Sequence, residues 1–188
     1  MLEQEKKYIN QAQKGNKEAF SFLYNHYLPG IYRYIFFKVS KQEEAEDITH
    51  EVFLSAWQNV KGYKYKGLPF SSWLYQIARN AVIDFYRTSK KTVQIEMVNE
   101  EFIKIQSRDP EILNAEMELE KIKKTIALLK PEYQNVLIMR FIEELPHNEV
   151  ATALGKSEGA VRLIQHRALK ELKSLYNETT NGKDIKEI

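Results

Sequence analysis

The sequence has no cysteine, only seven glycines and five prolines in 188 residues, and no long apolar run. Each shortage removes a class of protein. Without cysteine there are no disulfides and no thiol-ligated zinc or iron–sulfur sites, which fits a reducing compartment. A membrane helix needs about 20 consecutive apolar residues, so no membrane insertion is expected. The opening residues MLEQEKKYIN are charged from the start and lack the apolar core of a secretory signal. His26, His50, His147 and His166 are scattered without metal-ligand spacing. No phosphate-binding glycine loop and no nucleophile motif stands beside them, so neither catalysis nor a cofactor is expected. A cytoplasmic, non-enzymatic protein is the expectation.

What is present is helical periodicity, with 43% apolar residues to build a core. The clearest stretch is Pro69 to Arg87. Phe70, Trp73, Leu74, Ile77, Ala78, Ala81, Val82 and Phe85 repeat at the spacing of one helical face, predicted to be buried. The opposite side carries Gln76, Arg79, Asn80, Ile83 and Arg87, bordered by Tyr75 and Tyr86. Guanidinium and amide groups bind phosphates or base edges, and rings stack on unpaired bases at roughly 1–3 kcal/mol each. From this helix alone, an ordinary solvated face explains the pattern equally well.

The preceding loop shifts the balance. Lys61 and then Tyr63, Lys64, Tyr65 and Lys66, the last four between Gly62 and Gly67, alternate cation with ring, a composition suited to holding a single strand. Residues 61–91 hold seven Lys/Arg against one acid, Asp84, in a chain whose net charge is only +2. Such a patch attracts phosphate through counterion release.

Before it, residues 3–14 read as a short helix stopped at Gly15-Asn16, and Lys17 to Val39 as a longer one that Pro29-Gly30 kinks or splits. A third runs from Ser40 or Lys41 to about Val60, with acids in its first turns where the macrodipole favours them. Ala45, Ile48, Val52, Phe53 and Ala56 face inward. Asp47, His50, Glu51, Leu54 and Gln58 remain outside, either as a solvated acidic face or as a dock for a basic partner protein.

Residues 92–118 contain seven acids against Lys104 and Arg108, and read as a flexible acidic linker with Pro110 near the next helix start. The fold class is therefore all-α, two small helical domains joined by that linker. The second domain begins near Glu111. Leu113, Met117, Leu119, Ile122, Ile126 and Leu129 mark its first helix, and Pro131 to Glu143 its second. A short helix from His147 to Leu154, a turn at Gly155-Lys156-Ser157 and a last helix from Glu158 to about Tyr176 form a helix-turn-helix, with Ser157 as the cap. Val161, Ile164, Ala168 and Leu172 share one face of the last helix. Arg162, Leu163, His166, Arg167 and Lys170 occupy the other, where the cations reach base edges or phosphates and Leu163 meets a thymine methyl.

These blocks together resemble a bacterial RNA polymerase sigma factor of the extracytoplasmic-function type. In the first domain the likeness rests on Gly15, Ala19-Phe20 and Leu23-Tyr24, on Ala45-Glu46-Asp47-Ile48, Glu51-Val52-Phe53 and Ala56-Trp57, and on Phe70, Trp73-Leu74, Ile77-Ala78-Arg79-Asn80, Asp84 and Arg87. In the second it rests on Leu129 to Tyr133, Val136-Leu137, Arg140-Phe141, Glu149-Val150-Ala151 and Ser157 to Arg162. The resemblance implies a region 2-like domain at 1–91, a linker at 92–110, a region 4-like domain at 111–178 and a frayed tail at 179–188. It implies that Asp47, His50, Glu51, Leu54 and Gln58 dock core RNA polymerase. Lys61, Tyr63, Lys64, Tyr65 and Lys66, with Gln76, Arg79, Asn80, Ile83 and Arg87, would capture and open the minus-ten element. Ser157, Arg162, Leu163, His166, Arg167 and Lys170 would read the minus-thirty-five duplex. The linker would run through the polymerase channels. Promoter DNA and core polymerase are the implied partners, with an anti-sigma factor left open as a third.

Three positions depart from the family pattern: His50 stands where glutamine is usual, Leu145-Pro146-His147 replaces Leu-Ser-Tyr, and Leu163-Ile164-Gln165 replaces a more polar triplet. The competing reading is an autonomous helix-turn-helix regulator. Against it, no dimerisation helix or ligand pocket is legible in the sequence, and the first domain would have no role.

Overall fold

A computed structural model describes residues 4–65, 69–89 and 110–181, and no strand occurs among them. The helices are α1 (Glu5–Gln13), α2 (Lys17–Phe36), α3 (Gln42–Asn59), α4 (Phe70–Ser89), α5 (Pro110–Leu128), α6 (Pro131–Leu137), α7 (His147–Leu154) and α8 (Glu158–Asn181). A 3-10 turn, Val60–Gly62, comes after α3, and a π-helical turn, Ile138–Ile142, after α6. The linker expected at 92–110 lies outside the described residues except for Pro110, which opens α5.

Local chemistry sets the first boundaries. The chain leaves α1 through Gly15 at φ +89, a left-handed conformation that favours glycine. Asn16 then caps α2, accepting the Ala19 N–H at 2.8 Å. The start of α4 is held from a distance: Phe70 N–H donates to Oε1 of Glu5 on α1 at 3.3 Å, and the Tyr27 hydroxyl donates to the same carboxylate. Glu5 is buried to 5% exposure by these partners.

Of the α4 face expected to be buried, Phe70, Leu74, Ala78 and Val82 are buried, and Trp73, Ile77, Ala81 and Phe85 are partly buried at its edges. Phe70, Leu74, Ala78 and Val82 pack against Leu23, Ile31, Tyr34 and Ile35 of α2 and against Ile48, Val52 and Ala56 of α3. Leu74 has no exposed surface. Leu74→Ala should therefore cost about 2–5 kcal/mol and lower the urea midpoint of unfolding accordingly.

Pro29 does not split α2, which runs unbroken through it. The Pro29-Gly30 pair has another consequence. A Cβ on Gly30 would stand 2.8 Å from Glu143 Oε2 and 3.0 Å from Tyr75 Oη. Gly30 thus allows a residue from the second half of the chain to approach the backbone of α2.

In that second half, Val136, Ile138, Met139, Val150, Val161, Ile164 and Ala168 form the centre. The apolar pattern expected along α5 is only partly buried. Leu119 and Ile122 are 46% and 38% exposed, although Ile126 and Leu129 of the same pattern are buried. The π turn inserts an extra residue and breaks the register set by α6, so Phe141 is 50% exposed. The last helix also continues past Tyr176 to Asn181, into the stretch read as a frayed tail; 182–188 lie outside the described residues.

The two halves are packed on each other, chiefly α4 on α7, and one buried apolar cluster runs through both. Polar groups fasten this contact. Arg33 makes a two-bond fork with Glu143, Nε to Oε1 at 3.0 Å and Nη2 to Oε2 at 2.9 Å. Tyr75 donates to Glu143 Oε2 at 3.1 Å, Tyr34 to Asn135 Oδ1 at 2.9 Å and Ser71 to Glu149 Oε2 at 3.1 Å.

Candidate nucleic-acid and protein-docking faces

The helix-turn-helix is built around one glycine and one hydroxyl. Gly155 ends α7 at φ +64, and the Ala160 N–H donates to Ser157 Oγ at 3.2 Å to start α8. Burial of Val161, Ile164 and Ala168 fixes the roll of α8. Arg162, Leu163, His166, Arg167 and Lys170 all end up exposed on its outer side. Ser157 is exposed too, with its hydroxyl engaged in the cap. Arg162 lies 3.5 Å from Glu158 in a solvated pair, an interaction weak enough to yield to a phosphate.

Behind this face is a tie that periodicity did not reveal. Gln165 Oε1 lies 3.0 Å from His147 Nε2 and accepts from Arg140 Nε at 3.4 Å, while Arg140 also donates to the Leu145 carbonyl. The unusual Leu145-Pro146-His147 entry and the unusual Gln165 therefore meet each other.

On α4, Gln76, Asn80, Ile83 and Arg87 form one exposed stripe. At about 1.5 Å per residue it is roughly 16 Å long. Arg87 is paired with Asp84 at 3.1 Å, both well exposed. Arg79 sits off the stripe, half-buried in the cavity between the halves. Tyr75, expected on this border, is instead 4% exposed: its ring meets Tyr34 edge-on and its hydroxyl meets Glu143, which holds it inside the contact. Burial is the main cause that pushes the Tyr75 hydroxyl far above its ordinary pKa.

The loop before α4 divides. Lys61, Lys64 and Tyr65 are exposed. Tyr63 turns inward, ring centroids 5.1 Å from Phe70 and 5.0 Å from Trp73, and Gln13 donates to its carbonyl at 2.7 Å. Lys66 lies outside the described residues. On α3, Asp47, His50, Glu51, Leu54 and Gln58 make a continuous exposed stripe, with Leu54 at 55% exposure in its middle. Between α3 and α4 runs a groove whose carboxylates are Glu44, Asp47, Glu51 and Asp84.

The residues that sequence reading missed lie between the halves. Burial raises the carboxyls of Glu143 and Glu149 above the usual range, outweighing the opposing pull of Arg33 and Tyr75 on the first and of Ser71 on the second. Among the described residues there is no cluster of side chains able to hold a metal, and no helix is long and apolar enough to cross a membrane.

Fold and surface together define an all-helical protein that presents a capped helix-turn-helix and, on a separate helix, an exposed polar stripe. The family model for Sigma-70 region 2 matches residues 23–92, and that for Sigma-70, region 4 matches residues 125–174. The chain is 33% identical over 172 residues to the ECF RNA polymerase sigma factor BldN of Streptomyces coelicolor, spanning 89% of itself and 64% of BldN. It is 30% identical over 177 residues to the ECF RNA polymerase sigma factor SigW of Bacillus subtilis, spanning 89% of itself and 94% of SigW. The structure of CnrH in complex with the cytosolic domain of CnrY has the same fold, with a TM-score of 0.72, 22% identity, and coverage of 92% of this chain and 97% of that one. The chain belongs to the ECF RNA polymerase sigma factor family.

Proposed function

We propose that this chain binds core RNA polymerase in the cytoplasm and directs it to promoters by contacting two DNA elements with two separate helices. The observation that carries the reading is the outer face of α8, where Arg162, His166, Arg167 and Lys170 stand exposed on a helix whose roll is fixed by buried Val161, Ile164 and Ala168. A helix so presented enters a major groove N-terminus first, and this is the assignment for the minus-thirty-five element. The stripe Gln76, Asn80, Ile83 and Arg87, with Lys61, Lys64 and Tyr65, takes the minus-ten strand. Tyr63 supports that loop from beneath and does not itself stack on a base.

The exposed stripe Asp47, His50, Glu51, Leu54 and Gln58 docks the polymerase: an apolar side chain surrounded by carboxylates suits a basic helical partner. Arg79 becomes available to the strand when the halves separate, so polymerase and promoter binding draw on an opened form. An inhibitory protein that holds the halves together, an anti-sigma factor, would act against the same step. The CnrH structure contains a protein partner, the cytosolic domain of CnrY.

Duplex binding tests the α8 assignment. Arg162→Ala should weaken binding to a promoter duplex by about tenfold to a hundredfold, equivalent to about 1–3 kcal/mol, and relax sequence preference at one position. Lys170→Ala should weaken all sequences alike and lower the salt slope by about one. Gel-shift titrations of holoenzyme at several salt concentrations measure both. Equal loss on every sequence from Arg162→Ala would remove base reading from α8.

A further inference from the structure

Where the end of α2, the middle of α4, α5, the start of α6 and the helix-turn-helix turn meet, they enclose a cavity of about 840 Å³. That size lies within the roughly 300–1,000 Å³ typical of small-molecule sites. Its cations are Lys38, Arg79, Lys123, Lys124, Lys130 and Lys156, and its carboxylates are Glu120 and Glu132. Both carboxylates are already engaged, Glu120 with Lys124 at 3.4 Å and Glu132 with Lys156 at 2.8 Å. Among the described residues the lining therefore has an excess of four positive charges, against +2 for the whole chain.

Beside Ser40, Gln134 and Asn135, the rest of the wall is apolar or aromatic, with Val82, Ile83, Leu129 and Leu154 among its residues. Lys123 is only 5% exposed, its ammonium 3.6 Å from the centre of the Phe36 ring. Lys38 donates to Gln134 Oε1 at 2.7 Å. Burial brings both lysines down to about 8. Confining like charges near an apolar wall is unfavourable, and an anion with an apolar part relieves it.

We propose that this cavity binds a nucleoside polyphosphate, its phosphates against Lys38, Arg79, Lys123 and Lys130 and its ring against the apolar wall. Because Lys38 and Arg79 come from the first half of the chain and Lys123 and Lys130 from the second, the ligand bridges the two and holds them closed. Arg79 and Ile83 also belong to the strand-binding set, so ligand and promoter strand exclude each other. That last consequence rests on the proposed function; the binding itself does not.

The test titrates the full-length protein with ATP, inorganic tripolyphosphate and adenosine by calorimetry, in metal-free buffer of low ionic strength and without polymerase. ATP should saturate at one per chain with a micromolar dissociation constant, tripolyphosphate should bind about tenfold more weakly, and adenosine should give no signal. Lys123→Met removes a buried charge, and Ala127→Trp fills the cavity from an exposed position on α5, so neither threatens the core. Each should weaken ATP at least tenfold, whereas Lys170→Met on α8 should leave it unchanged. Affinity should fall as pH rises from about 7 to about 9, because Lys38 and Lys123 lose their protons in that window. The other charged and titratable groups facing them are Arg79, Lys124, Lys130, Lys156, Glu44, Glu120, Glu132 and Tyr86.

Failure to saturate below millimolar ATP would overturn the proposal. So would equal ATP affinity for the parent, Lys123→Met and Ala127→Trp, because the nucleotide would then sit elsewhere. Equal affinity for tripolyphosphate and ATP would overturn the assignment of a nucleoside.

Discussion

Reversing two charges on α3, Asp47→Lys with Glu51→Lys, is expected to abolish measurable binding to core RNA polymerase. Both residues are exposed one helical turn apart on the stripe centred on Leu54. Like-charge juxtaposition against a basic partner costs several kcal/mol, so affinity should fall by about a hundredfold or more. Stability should be nearly unaffected, because neither side chain takes part in the core and the groove they border already holds Glu44 and Asp84. The measurement is a fluorescence titration of labelled protein with core enzyme, alongside a thermal melt. Parent-like affinity in a folded variant would move the polymerase dock away from α3.

The second large effect concerns the contact between the halves. Arg33→Glu should open the molecule without unfolding either half. Glu143 has a side chain only 3% exposed, and its fork to Arg33 supplies the opposite charge that makes this burial tolerable. With a carboxylate at position 33 the contact should lose about 1–3 kcal/mol, a figure reduced because the Arg33 side chain is 51% exposed. Small-angle scattering should show the radius of gyration rising by several ångström from a compact value of about 16 Å. An unchanged radius would mean that apolar packing of α4 on α7 suffices by itself.

The same contact responds to pH with a definite sign. Burial raises Glu143 and Glu149 in the closed form, so that form binds their protons more tightly than an opened form, in which both return to the ordinary carboxylate range. Closure is therefore strongest in acid and weakens as pH rises through the raised values. The parent's radius should grow as pH rises above the ordinary carboxylate range, and Glu143→Gln should flatten that change.

What could be read from sequence was whatever one helix decides for itself. The inward face of α4, the roll of α8 and the exposed stripe on α3 come from apolar spacing, because each helix has one side to bury. Ser157 was legible as a cap because the groups it satisfies lie in the next turn. The contact between halves was not legible in this way. Gly30 looked like a helix breaker because its neighbour is Pro29, whereas its function is to leave space for Glu143, more than a hundred residues later. Tyr75 looked like a ring available to a base, since nothing on α4 reveals that the same Glu143 will accept its hydroxyl inside the contact between the halves. The π turn at Ile138–Ile142 breaks the 3.6-residue repeat, so Phe141 could not be placed by counting. The inward turn of Tyr63 was not legible for a related reason: a lysine–tyrosine loop looks the same whether its rings face solvent or Phe70 and Trp73.

Transcription is the most direct test of the sigma role. Core RNA polymerase is incubated with a genomic promoter library, with and without the purified full-length protein, and the new transcript starts are sequenced. New starts that share two spaced upstream motifs, and disappear with Asp47→Lys and Glu51→Lys, are the predicted result. No new starts and no binding to core polymerase, with duplex DNA still held by the protein alone, would contradict it and leave an autonomous regulator in its place.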